Sequence, residues 1–332
     1  MNTRFLILLA SLVVTAPAWA GDELVIYSGR SDKFVQPVVD AFALETGISV
    51  VLHTGKATEL LNRLRLEGNR TTADVFISND AGNLQVGSDL QLFAPLPAAL
   101  TKDIPANYRA TDNTWTGVSA RARVLVINKK FKQQHAIKSV LDLSRPELKN
   151  QIGITDSTNE SYIAGVTVYM QALGTEPTRA WLQGLKTNAG NEVFSKHSHI
   201  VKAVAQGQKG VGLVNHYYIF RHLKEYPNDP VELLLPDQSA QDMGLAWNVA
   251  GIAQTAHGKH KDKAMAFIKF VLTDKGQGIF AETNLEYPVR SGVKTAQVLP
   301  AADKLKIADV PMAALGQMRK QTIDLIESVG MP

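Results

Sequence analysis

Two adjacent phenols, Tyr217 and Tyr218, stand at the end of an apolar run in VGLVNHYYIF, residues 211–220. A phenol ionises near pH 10 and stays neutral at pH 7 unless something stabilises its anion. A bound cation does so, and the phenolate is then a hard, negatively charged oxygen donor. Successive side chains on a strand point to opposite faces, so both phenols meet one ligand only where the chain turns. A strand end that enters a helix is such a turn. Without a ligand, the plain reading puts Tyr218 in the core and Tyr217 at the surface.

Other strand ends carry more of the same chemistry. Tyr27 closes the apolar LVIYS, and Arg30 follows three residues later in LVIYSGRSD. Tyr162 follows the polar loop of ITDSTNESYIAG, Arg121 and Arg123 alternate in GVSARARVLV, and Asn215 precedes the tyrosine pair. An arginine beside phenolates holds an anion in a fixed geometry or offsets excess negative charge. Clustered oxygen donors in a chain without cysteine suit a hard trivalent ion, Fe(III), over zinc or copper. Singly, each of these residues reads equally as a buried hydroxyl or a structural ion pair.

The histidines point elsewhere. His257 and His260, and His197 and His199, have close spacing, but no HExxH pattern or matching carboxylate accompanies them. His216, beside the tyrosine pair, reads as a non-ligand. The sequence contains no GxSxG, Walker A or GxGxxG motif, so no nucleophile or phosphate loop is apparent and no enzymatic activity is expected.

The elements that must position these residues alternate. Strand patterns at 24–28, 48–54 and 73–78 enclose helical patterns at 32–47 and 56–69, the order of a parallel βαβ sheet. A second unit uses 124–128, a strand over 152–157, a helix from about 161 to 172, and the strand 211–215 followed by a helix through 220–226. A strand at 245–253 and helices over 262–283 come later. No Pro/Gly/Ser-rich linker divides the halves, so two α/β lobes joined by crossing strands are expected, the crossings near 120–128 and 236–250. Ligands of open α/β sheets bind beyond the carboxyl ends of the strands. YSGRS, ISND, TDSTNES and NHYY stand at those ends.

Composition fits an exported chain. MNTR, then FLILLASLVVTAPA, then Ala18-Trp19-Ala20 has the order of a cleaved signal peptide over residues 1–20. The apolar run is short for a membrane span. A net charge of +4 with both signs interspersed gives no case for nucleic acid. With no cysteine there is no thiolate metal site and no lipidated N-terminal cysteine. A soluble, monomeric periplasmic protein is expected.

Taken in order, IYSGRSDKFVQPVVDAFALETGISV, LRLEGNRTTADVFIS, TGVSARARVLVIN, GVGLVNHYYIFR and LEYPVRSGV resemble the periplasmic ferric-ion-binding proteins, the solute receptors of iron(III) ABC transporters. The likeness covers nearly the whole chain beyond residue 20, and NHYY is its most specific part. It implies an α/β, two-lobed periplasmic-binding-protein fold with hinge strands, closing on its ligand. Lobe 1 would comprise 21–122 and 246–290, lobe 2 would comprise 123–245 and 291–332. It implies Tyr217 and Tyr218 as iron ligands, Tyr162 as a further ligand, and Tyr27 as a fourth. Some branches use a histidine after YxGx and a glutamate after ADVF; here Ser31 and Asn79-Asp80 stand there, which favours the tyrosine-rich arrangement.

Three phenolates balance the charge of Fe(III) and leave room for a synergistic anion such as carbonate, with Arg30, Arg121 and Asn215 on the anion side. The expected function is capture of ferric ion and delivery to an inner-membrane ABC permease. Two alternatives stay open: a receptor of the same fold for an oxyanion or small organic ligand, and a periplasmic transferase or hydrolase, since fold does not fix function.

Overall fold

LVIYS forms the first strand, β1 (Leu24–Ser28), and the amphipathic segment after it forms α1 (Asp32–Thr46), which Gly47 ends in the left-handed conformation at φ 71°. The structure, a computed structural model, describes residues 22–190 and 192–332. The expected signal peptide, residues 1–20, lies outside the described residues.

β2 (Val50–Thr54), α2 (Ala57–Glu67) and β3 (Val75–Ser78) complete the first βαβαβ unit. β1 lies in the middle, parallel to both β2 and β3. Gly29 follows β1 because a Cβ there would stand 2.4 Å from Cβ of Ala57, at the start of α2. α3 (Ala81–Asp89), β4 (Phe93–Ala94) and α4 (Ala98–Thr101) lead to a long buried strand, β5 (Thr116–Asn128).

The second unit runs α5 (Lys129–Gln134), β6 (Ile152–Gly153), α6 (Glu160–Leu173), α7 (Thr175–Ala189), α8 (His197–Ala205), β7 (Val211–Asn215), α9 (His216–Glu225) and β8 (Val231–Leu234). β9 (Trp247–Thr255) then returns to the first sheet, followed by α10 (Lys261–Val271) and α11 (Asp274–Asn284). α12 (Ala314–Gln317) packs on α3, and α13 (Arg319–Val329) packs on α6 and α7.

β5 belongs to both sheets. Its first part, Thr116–Ala122, pairs antiparallel with β9, which also pairs with β3. Its second part pairs with β7 from Arg123 and with β8 from Leu125. β6 adds to β7 in parallel. The chain therefore changes sheet between Ala122 and Arg123 without a break in the strand. The sheet path is β2-β1-β3-β9-β5-β7-β6, and it gives two α/β lobes joined through β5 and the segment before β9.

One expectation is corrected. The strand expected over 152–157 is only Ile152–Gly153, because the polar residues after it form the turn whose Asn159 side chain caps α6. The helices expected over 262–283 are α10 and α11, and the Thr273 hydroxyl, accepting from Gly276 N–H, starts the second.

Candidate metal-binding site

The tyrosine pair lies in the first turn of α9, directly after β7. Asn215 occupies the N-cap position, His216 is the first helical residue, and Tyr217 and Tyr218 follow. At this end of a helix the backbone N–H groups are unpaired and the helix dipole is positive, which favours a negative group. Side chains of a helix lean toward its N-terminus, so both phenols reach beyond the end of β7. Their ring centres are 4.6 Å apart, with 40° between the planes. Tyr162 holds the equivalent place in α6, three residues after its N-cap Asn159. Its ring is 1% exposed and its hydroxyl has no hydrogen-bond partner.

Arg123 ties Tyr162 and Tyr217 together. It is buried, and burial lowers its guanidinium to about 10, while Tyr169, Tyr217 and Tyr162 pull it back up. Its Nη1 donates to Asn215 Oδ1 at 3.2 Å and its Nη2 to the Leu213 carbonyl at 3.3 Å. Asn215 does not use its side chain as a helix cap. Its amide nitrogen donates instead to the Tyr217 hydroxyl at 3.1 Å and to Ser161 Oγ at 3.2 Å. One asparagine thus links both phenol-bearing helices to one arginine.

Arg121 lies two residues before Arg123, on the same face of β5 and on the other side of the sheet change. Both of its terminal guanidinium nitrogens are buried and make no hydrogen bond. Arg121, Arg123, Ser161, Asn215, Trp247 and Asn248 line a small cavity of about 10 Å³. A buried guanidinium and a buried phenol without hydrogen-bond partners each carry a large desolvation penalty, so each favours a polar ligand.

Burial dominates the phenol chemistry. It raises the pKa of Tyr162 and of Tyr218, and for Tyr218 the neighbouring Tyr217 raises it further. A cation would reverse that shift. Among the described residues no group of three or more His, Cys, Asp or Glu side chains is arranged to hold a metal ion.

Two of the residues singled out in the sequence have other partners. The Tyr27 hydroxyl donates to the Glu67 carboxylate at 3.0 Å, under the guanidinium of Arg63, and its ring meets His53 of β2 edge-on. It shares no contact with Tyr162, Tyr217 or Tyr218. Arg30 is held by Glu286: its Nη2 donates to both carboxylate oxygens at 2.8 and 2.9 Å, and its Nη1 to Ser119 Oγ at 3.2 Å. His216 has both ring nitrogens engaged. Ala122 N–H donates to Nδ1 at 3.2 Å, so the proton sits on Nε2 and is donated to the Leu285 carbonyl at 2.8 Å.

One residue of the cluster was read in the sequence only as half of a doubtful metal pair. His197, at the start of α8, is buried with its ring 5.1 Å from that of Tyr218. Burial and then the charges of Arg123 and Arg121 hold its ionisation well below the usual imidazole range, so it is neutral. No spacing rule connects it to a strand end, and only the fold brings it here.

Comparison with known proteins places this geometry in context. Residues 38–307 match the family described as bacterial extracellular solute-binding protein. The chain is 32% identical to an Fe(3+)-binding periplasmic protein of Serratia marcescens, over 98% of this chain and 96% of the relative. It superposes on the iron-bound structure of HitA from Pseudomonas aeruginosa with a TM-score of 0.86 and 27% identity, covering 93% of this chain and 99% of that one. It superposes on Trichodesmium IdiA (FutA), in complex with iron and citrate, with a TM-score of 0.83 and 29% identity, covering 93% and 100%.

Proposed function

Since this chain belongs to the bacterial extracellular solute-binding proteins, within the branch of the periplasmic ferric-ion-binding proteins, we propose that it captures ferric ion in the periplasm and delivers it, as a monomer, to an inner-membrane ABC permease. The ligands in this reading are Tyr162, Tyr217 and Tyr218. The observation that carries it is that Tyr162 and Tyr217, from the first turns of α6 and α9, both lie by one buried arginine, Arg123, with the Tyr218 ring 4.6 Å from that of Tyr217 and the Tyr162 hydroxyl lacking any hydrogen-bond partner.

Three phenolates neutralise a trivalent ion, so any further negative group needs its own positive partner. Arg121 supplies it, because both its terminal nitrogens are buried and uncommitted. Arg30 is less suited, because Glu286 and Ser119 already occupy it. A small oxyanion such as carbonate or citrate would therefore lie against Arg121, beside Asn215 and Arg123. Tyr27, committed to Glu67, stands outside the ligand set in this reading.

Capture and release follow from protonation. In the ligand-free site, burial keeps Tyr162 and Tyr218 protonated. Ferric ion binds with loss of those protons, and hinge closure between the lobes shields it from solvent.

The test is the visible spectrum of the mature protein with ferric citrate, alongside its Tyr217→Phe/Tyr218→Phe form. A broad phenolate-to-iron band that the double variant loses is the expected result. No band in the parent protein, with iron passing through a desalting column, rejects the reading.

A further inference from the structure

The helix that carries the tyrosine pair docks onto the end of one particular helix of the other lobe. α9 packs on β5, β7 and β8, whereas α11 packs on α1 and α10, which cover the first sheet. Two residues at the end of α11, Thr283 and Leu285, make the junction, and Asn284 between them binds α11 to α1. The Thr283 carbonyl accepts from Arg221 Nη2 at 3.2 Å, Asn284 Nδ2 donates to the Phe34 carbonyl at 2.9 Å, and the Leu285 carbonyl accepts from His216 Nε2 at 2.8 Å. Leu285 ends α11 in the left-handed conformation, at φ 56°. That backbone is costly for a branched, non-glycine residue and turns its carbonyl outward, toward α9.

Arg221 crosses the junction. Its guanidinium lies 4.4 Å from the centre of the Phe34 ring, which belongs to α1, and 5.7 Å from that of Tyr217. Phe34 and Tyr217 meet edge to face, with centroids 5.9 Å apart. The carboxyl end of a helix is its negative pole, so a cation at Thr283 is favoured by the helix dipole and by a hydrogen bond together. Arg221 lies one helical turn beyond Tyr217 on α9, with its charge beside both phenols. None of these contacts uses a candidate iron ligand's hydroxyl.

We propose that Arg221, seated on the Thr283 carbonyl and on Phe34, is a clamp that holds α9 against α11 and sets how fast the ferric ion leaves its site. The inference rests on the ferric reading above, but its contacts are made by the protein alone. Arg221 is a positioning residue: it touches neither ion nor anion and acts through the position of α9.

The test compares the parent protein with Arg221→Ala and Arg221→Glu, each loaded with ferric citrate and then mixed with excess EDTA. The phenolate band should form at the same wavelength in all three. Its decay should be about tenfold faster in Arg221→Ala, the factor that 1.4 kcal/mol would give, and faster again in Arg221→Glu, which sets like charges against each other. Decay at the parent rate in Arg221→Ala overturns the clamp. If the parent forms no band at all, the ferric reading fails, and small-angle scattering of the iron-free proteins decides the clamp instead. A larger radius of gyration in Arg221→Ala supports it, and equal radii reject it.

Discussion

One guanidinium nitrogen of Arg30 donates to both carboxylate oxygens of Glu286, 256 residues away in the chain, and both side chains are buried. The Arg30 charge lowers the Glu286 carboxyl against the opposing effect of burial, with Arg121 and Ser119 adding to it. Removing one partner leaves the other as an unpaired buried charge. Glu286→Ala should cost about 3–5 kcal/mol in urea unfolding, whereas replacing both residues by methionine should cost much less than the sum of the single changes.

Tyr27→Phe should leave the phenolate-to-iron band and the iron affinity unchanged. The lost hydrogen bond to Glu67 should cost only about 1 kcal/mol of stability, because Arg63 and Thr71 still hold that carboxylate. A shifted band would return Tyr27 to the ligand set.

Iron affinity should fall steeply with pH. Burial keeps the Tyr162 and Tyr218 protons on, so at least two protons leave when the ion binds. Each pH unit of acidification should weaken apparent affinity at least about a hundredfold, measured by competition with a chelator whose own protonation is corrected for. A flat profile would remove these two phenols from the ligand set.

Acid should also weaken the iron-free protein. Burial lowers His216 from 6.5 to about 4, and the hydrogen bonds with Leu285 and Ala122 and the charge of Glu286 only partly oppose this. The unfolded chain takes up a proton below pH 6.5 that the folded chain refuses until about pH 4. Stability present above pH 6.5 is therefore lost as pH falls through that window, by about 3 kcal/mol from this residue. His197, also held neutral, adds to the loss. A glutamine at 216 can accept from Ala122 and donate to Leu285 without titrating, so His216→Gln should flatten part of the acid limb in urea unfolding measured at pH 7, 6, 5 and 4.

The strands and helices nearest the site were legible because their patterns are local. LVIYS, ADVFIS and VGLVN are apolar runs with polar stops, and DKFVQPVVDAFALETG shows helical spacing with a glycine at its end. The tyrosine pair was legible for the same reason: a strand end meeting a helix start is the local turn that lets neighbours converge. The face on which Tyr27 would lie was not. Every strand end offers two faces, and only the placement of α2 decides that this ring meets Glu67. Arg30 and Glu286, or His197 and Tyr218, depend on contacts made across the fold, and nothing in either segment records its partner. Asn215, expected on the anion side, occupies the N-cap position, and only its surroundings turn its side chain to Tyr217 and Ser161.

β5 runs unbroken through both sheets, and Arg121 and Arg123 sit on either side of the point where it changes from one to the other. If the lobes swing about that strand, it is the fulcrum of a lever, and points at a fulcrum travel least. The far ends of the lobes sweep the long arms, while the two guanidinium groups, and the start of α9 bonded to Ala122 and Arg123, stay almost in place. The positive charge of the site is therefore already assembled when the jaws are apart. In the ferric reading, an anion can settle there first, before the far lobe closes over it.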